Sequence, residues 1–190
     1  VIREDHPLYV GVYGGLIARD EVQQFINASD CLLILGSILS DVEDLNADSP
    51  LLSEGRTIHA TADRVAIKHH RYDAIRFQDF VKALVTNPLP SFPSRPLPAP
   101  LPVAQGTIAT DAPVTLNGLF RHLDSLLNEH TLVIADVGES LFAAADLHVH
   151  RRFEFLSPAY YTSMGFAVPA AVGASFADPT LRPIVLVGDG

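Results

Sequence analysis

The sequence predicts an α/β fold carried in two pieces, both built on parallel strands and both incomplete. Three observations predict it. Short apolar runs of strand length (Cys31 to Leu35, Leu132 to Ala135, Ile184 to Val187) alternate with stretches of helical periodicity. Hydrophobic residues make up 48% of the chain and charged ones 18%, the balance of a packed globular protein. A proline-rich stretch separates the two series of elements.

In the first piece, residues 1–86, Val22, Phe25 and Ile26 share one helical face and lead into the strand run Cys31 to Leu35, closed by Gly36 and Ser37. Thr57 to Ala60 and Arg64 to Lys68 read as further short strands. Phe77, Phe80, Val81 and Leu84 then fall at i, i+3, i+4 and i+7, the apolar stripe of a helix. Alternation of this kind favours a parallel sheet, of which only part is present.

Residues 87–110 read as a linker. Pro88, Pro90, Pro93, Pro96, Pro98, Pro100 and Pro102 are half of the chain's 14 prolines. Each fixes φ and removes a ladder donor, so the segment runs extended, without helix or central strand.

In the second piece, residues 111–190, Thr115 can cap a helix whose Leu116, Leu119, Phe120, Leu123 and Leu127 share a face. The strand Leu132 to Ala135 follows, then the turn Asp136, Val137, Gly138, Glu139 and a small-residue helix starting near Ser140. An irregular polar stretch is expected from Asp146 to Tyr161. Met164 to Ala177 is apolar on nearly every side and reads as a helix buried between layers. Pro169 lies within it, and an interior proline costs roughly 3 kcal/mol, so a late helix start is expected. Ile184 to Val187 is a buried strand delivering Gly188, Asp189 and Gly190.

Composition excludes several functions. The net charge of −9 comes without any basic cluster, which argues against nucleic acid. No apolar run approaches the roughly 20 residues that cross a bilayer, so no membrane partner is expected. A single cysteine, Cys31, leaves no internal disulfide and makes the cytoplasm the default location. The chain starts without Met and stops directly after a strand-like run, so both ends read as cuts inside a longer protein.

The chemistry concentrates at strand ends. In open α/β sheets ligands bind beyond the carboxyl ends of the strands, where backbone N–H groups point outward. Two such ends are Asp136 to Ser140 and Gly188 to Gly190. Glycines let a backbone approach phosphate closely, and Asp189 between two of them offers a hard oxygen to Mg²⁺. Taken alone, Gly-Asp-Gly is also an ordinary polar turn.

The runs LVIADVGESLF (Leu132 to Phe142), SPAYYTSMGFAVP (Ser157 to Pro169) and IVLVGDG (Ile184 to Gly190) resemble the cofactor domain of thiamine-diphosphate enzymes of the pyruvate, indolepyruvate and phenylpyruvate decarboxylase group. YVGVYGGL (Tyr9 to Leu16), SDCLLILGSILSDV (Ser29 to Val42) and TIHA (Thr57 to Ala60) resemble the second half of the central domain of the same group. The resemblance implies parallel-sheet sandwich domains, thiamine diphosphate and Mg²⁺ as cofactors, and conversion of a 2-oxo acid to an aldehyde and CO₂. It implies that Asp189 is the metal ligand and that Gly188 and Gly190 admit the diphosphate. Thr162 would offer its carbonyl to the pyrimidine amino group, Met164 would wedge beneath the two rings, and Ser163 would lie beside them. Glu139 and Ser140 would sit near the pyrimidine or the diphosphate, although the group more often has Asp or Thr where Glu139 stands. A homodimer or homotetramer with active sites between subunits is implied. The family's catalytic glutamate, paired histidines and second metal ligand fall outside the chain, so no catalytic residue is named and the chain by itself is expected to be inactive.

Other residues are read as structural: His69 and His70 after a strand, His148 and His150 in a solvated loop, Cys31 as a small core residue. Two alternatives stand beside the decarboxylase. An acetolactate-synthase-like carboligase would use the same cofactor. A non-catalytic nucleotide-binding module would rest on the glycines of Gly11 to Gly15, whose fingerprint Val12 and Tyr13 break.

Overall fold

The computed structural model describes residues 4, 6–15, 18–37, 55–93, 95–99, 113–150 and 154–188. It divides into two compact units, Tyr13–Pro98 and a second formed by Val1–Val12 with Ala99–Gly190.

In the first unit, helix α1 (Asp20–Asn27) precedes strands β1 (Leu32–Leu35), β2 (Thr57–Ala60), β3 (Arg64–Ile67) and β4 (His70–Asp73), and helix α2 (Phe77–Thr86) follows. The strands lie in the order β1-β2-β3-β4. β1 and β2 are parallel, as expected, but β2, β3 and β4 run antiparallel. The reason lies in the connections. Thr61 to Asp63 and the pair Lys68 and His69 are too short for a crossover, and Lys68 turns the second with a left-handed backbone (φ 54).

The core of this unit holds Val22, Leu32, Ala60 and Val65. Arg56 ties the end of α1 to the start of β2 by donating to the carbonyls of Asn27 (2.8 Å) and Ser29 (2.6 Å). Gly36, at φ +70, lies against the Phe77 ring, and a Cβ there would come within 3.3 Å of it. The expectation that Cys31 is a core residue is overturned. It is exposed one position before β1, and Leu33 and Leu35 of that strand are exposed as well, since alternate side chains point to opposite faces.

In the second unit, helix α3 (Leu116–Asp124) leads to β5 (Thr131–Ala135), α4 (Glu139–Ala144), β6 (Phe155–Leu156), α5 (Ala167–Ala177) and β7 (Arg182–Leu186). Thr115 caps α3, its Oγ1 accepting from the Gly118 N–H at 3.1 Å. The three strands are all parallel, in the order β6-β5-β7. β6, inside the stretch expected to be irregular, is only two residues long and shows no alternation to read.

β5 is buried along its whole length, and its side chains divide between two faces. Val133 and Ala135 pack with Leu127, Ala144, Leu147 and partly buried Phe120 and Leu123 from the side of α3 and α4. Leu132 and Ile134 pack with Ala167, Ala170, Ala171 and Ala174 of α5. Chain order explains the layering. β5 to β6 steps one way through α4, β6 to β7 steps back past β5 through α5, and right-handed crossovers in opposite directions place their helices on opposite faces. Pro183 is tolerated in β7 because Arg182 donates to the His130 carbonyl and alternate donors face opposite sides, which turns the proline nitrogen to the edge that no described strand covers.

α5 starts at Ala167, so Pro169 falls in its first turn, where it removes no intrahelical bond. The expected burial between layers is not found: Val168, Val172 and Phe176 are exposed, and Ala167 is the helix's buried residue. Residues near the start of the chain join this unit through Glu4. Its carboxylate accepts from the Val149 N–H (3.1 Å) and the Tyr9 hydroxyl (3.5 Å), and burial raises its pKa above the ordinary carboxylate value.

Candidate functional site

The reversal of strand order places a switch point at the carboxyl end of β5, the location where open parallel sheets bind ligands. Four segments meet that edge: Asp136 to Ser140 after β5, Ser157 after β6, the loop 158–166 ahead of α5, and Val187 and Gly188 after β7.

The sequence-predicted residues fall as follows. Gly138 is the N-cap of α4 at φ 86, Glu139 is exposed at the first position of that helix and Ser140 is half-buried behind it. Thr162 has a left-handed backbone (φ 49), rare for a β-branched residue, and its N–H donates to the Pro158 carbonyl at 2.8 Å. Ser163 is exposed, and Gly165 at φ 82 completes the loop. Met164 is 80% exposed, which excludes its being an ordinary core methionine. Gly188 is exposed at the end of the β7 segment; Asp189, the expected metal ligand, and Gly190 lie outside the described residues.

The structure adds residues that sequence reasoning did not single out. Asp136 is buried, and its carboxylate accepts from the N–H groups of Val137 (2.9 Å), Gly165 (3.0 Å) and Ala167 (3.5 Å). The Val137 N–H foremost, and those of Ala167, Gly165 and Phe166, hold its pKa below the usual carboxylate value against the opposing effect of burial. Its own N–H donates to the Leu186 carbonyl at 2.8 Å, joining β5 to β7. Ser157 Oγ is shielded from solvent and has no hydrogen-bond partner among the described residues. Tyr160 and Tyr161 are exposed, with ring centroids 5.0 Å apart. The one sequence signal for Asp136 was its place at a strand's carboxyl end.

The histidines and the glycine turn read as structural are placed as follows. His69 and His70 lie in the exposed β3–β4 hairpin. His148 is held through its N–H to Asp124 Oδ1 (2.6 Å), 6.1 Å from the His150 ring, and among the described residues no cluster of three or more His, Cys, Asp or Glu could hold a metal. The glycines of Gly11 to Gly15 open no helix, since α1 starts at Asp20. No helix among the described residues is long and apolar enough to cross a membrane.

The described part of this edge leaves room for a ligand. A Cβ built at Gly138, Gly165 or Gly188 would meet nothing within 4 Å, which leaves open space beside the backbone. The exposed thioether of Met164 offers an apolar contact there, and Ser157 Oγ, shielded from solvent, keeps an unused hydrogen-bonding capacity.

This geometry defines a class, an α/β cofactor-binding domain with its site at a sheet switch point, and comparison with known proteins narrows it. Residues 1–87 match the family described as "Thiamine pyrophosphate enzyme, central domain", and residues 136–190 match "Thiamine pyrophosphate enzyme, C-terminal TPP binding domain". The chain belongs to the thiamine pyrophosphate enzymes. Within them it is similar to the pyruvate and indole-3-pyruvate decarboxylases. It is 27% identical to pyruvate decarboxylase isozyme 2 of Saccharomyces cerevisiae over 100% of this chain and 34% of that protein. It is 28% identical to the pyruvate decarboxylase of Hanseniaspora uvarum over 100% and 34%, and 30% identical to the indole-3-pyruvate decarboxylase of Azospirillum brasilense over 95% and 33%. The chain spans about a third of the length of these relatives.

Proposed function

We propose that this protein is a thiamine-diphosphate- and Mg²⁺-dependent decarboxylase that releases an aldehyde and CO₂ from a 2-oxo acid of the pyruvate, indolepyruvate or phenylpyruvate type. The observation that carries the reading is the loop 162–165, with two left-handed residues and an exposed methionine, set at the switch point of a parallel sheet. Among the described non-glycine residues at positive φ, Lys68, Ala74 and Thr162, only Thr162 is β-branched, and such a residue keeps that backbone only where its surroundings over-determine it.

In this reading Thr162 presents its carbonyl to the pyrimidine amino group, Met164 supports the two rings, and Ser163, Glu139 and Ser140 border the cofactor. Gly188 and Gly190 leave room for the diphosphate, and Asp189 ligates the Mg²⁺ that neutralises it. Bound thiamine diphosphate supplies an electron sink for cleavage of the bond between the carboxylate and the carbonyl carbon. The chain's part is to bind and orient. The same reading carries domain limits of 1–86 and 111–190 about a linker at 87–110, a homodimeric or homotetrameric assembly, and a cytoplasmic location.

Product analysis on the intact protein with pyruvate, indolepyruvate and phenylpyruvate is the test. Free aldehyde in stoichiometric amount with CO₂ is expected. A coupled acyloin or acetohydroxy acid in its place would favour the carboligase, and no conversion with cofactor and Mg²⁺ present would refute both.

A further inference from the structure

The residue from which the candidate loop hangs has no role in the reading above. Asp136 Oδ2 accepts from the N–H groups of Gly165 and Ala167, which flank Phe166, the N-cap of α5. Phe166 has no side-chain acceptor, so a carboxylate about thirty positions earlier caps the helix in its place, with its negative charge at the positive helix end. Through its own N–H the same residue is bonded to β7. The loop is therefore fastened twice, at its start by Thr162 N–H to the Pro158 carbonyl and at its end by Asp136. The fastened residues Thr162 and Gly165 are both left-handed, and the exposed Met164 lies between them. A β-branched residue keeps such a backbone only where its surroundings over-determine it.

We infer that Asp136 is a positioning residue for the ring portion of the cofactor, holding the Thr162 carbonyl and Met164 in place without touching the ligand. The inference rests on the proposed cofactor and predicts a division of labour: Asp136 governs the pyrimidine side, while the diphosphate belongs to the turn after β7.

Two probes separate these sides. The intact protein, wild type and Asp136→Asn, is titrated calorimetrically in Mg²⁺ with thiamine diphosphate and, separately, with inorganic pyrophosphate. Asparagine is nearly isosteric but gives up the charge and one acceptor oxygen. Affinity for thiamine diphosphate should fall about tenfold, the scale of one charge-assisted hydrogen bond, with pyrophosphate affinity unchanged. Asp136→Glu, which keeps the charge, should recover part of the loss. Equal thiamine diphosphate affinity in wild type and Asp136→Asn, or an equal loss for both probes, overturns the inference alone. A wild-type protein that takes up neither probe overturns the cofactor reading and this inference together. If neither variant folds by circular dichroism, hydrogen exchange in the wild type decides. Gly165 and Ala167 amides protected like those of β5 support the clamp, and exchange as fast as at Ser163 overturns it.

Discussion

Gly165→Ala and Gly173→Ala are the same substitution in equally open space, yet they should change stability in opposite directions. A Cβ at either position meets nothing within 4 Å, so contact energy drops out and only the backbone decides. Gly165 sits at φ +82, where a residue with a Cβ loses about 1–2 kcal/mol. The stiffer unfolded chain returns about 0.4–1 kcal/mol of that, leaving a net destabilisation of about 1 kcal/mol. Gly173 lies inside α5, where alanine is favoured over glycine by roughly 0.5–1 kcal/mol. The gap between the two variants is then about 1.5 kcal/mol, or about 0.5–1 M in urea midpoint for a typical slope. Urea denaturation of the intact protein, followed by circular dichroism, reads it. A Gly165→Ala midpoint at or above wild type, or a Gly173→Ala midpoint below it, would show that backbone conformation does not set the difference.

Other substitutions test the frame that holds the site. Ile134, fully buried in β5, should cost about 2–5 kcal/mol when changed to Ala, measured by the same denaturation. Thr115→Ala removes the α3 cap and should cost about 1 kcal/mol, while Thr115→Ser should be close to neutral. The depressed pKa of Asp136 means its charge stabilises the folded state above the ordinary carboxylate value and that this contribution is lost as pH falls through the folded value. Stability of the wild type should therefore drop more steeply below about pH 4 than that of Asp136→Asn, and parallel acid limbs would contradict it.

Where periodicity and turn chemistry are strong, the sequence reading and the structure agree. Thr57–Ala60 has the limits expected, Thr115 caps α3, and the conflict raised by Pro169 resolves into a helix starting at Ala167. The misses have physical causes. β4 (His70–Asp73) is exposed at every position and carries a single large hydrophobic residue, Tyr72, so no apolar alternation marks it, and it exists through its hairpin with β3. β6 is two residues long, below any detectable period, and exists because β5 offers it a parallel edge. The antiparallel turn of the first sheet follows from loop lengths, which a count of alternating elements does not weigh.

The site divides in the same way. Glycines and a methionine at fixed spacing stand out in a linear sequence, and the structure sets Gly138, Thr162, Met164, Gly165 and Gly188 at one sheet edge. Asp136 did not stand out, since its partners at Gly165 and Ala167 are backbone groups 29 and 31 positions away that carry no side-chain signature. Ser157 was hidden likewise, because its significance is an unmade hydrogen bond that only burial reveals.

Calorimetric titration of the intact protein with thiamine diphosphate in Mg²⁺, compared between wild type and Asp189→Asn, tests whether this carboxylate holds the cofactor's metal. Saturable binding by the wild type, weakened about tenfold or more by the loss of the carboxylate charge, is the predicted result. Equal affinity in the two proteins, or no binding by the wild type, would contradict it.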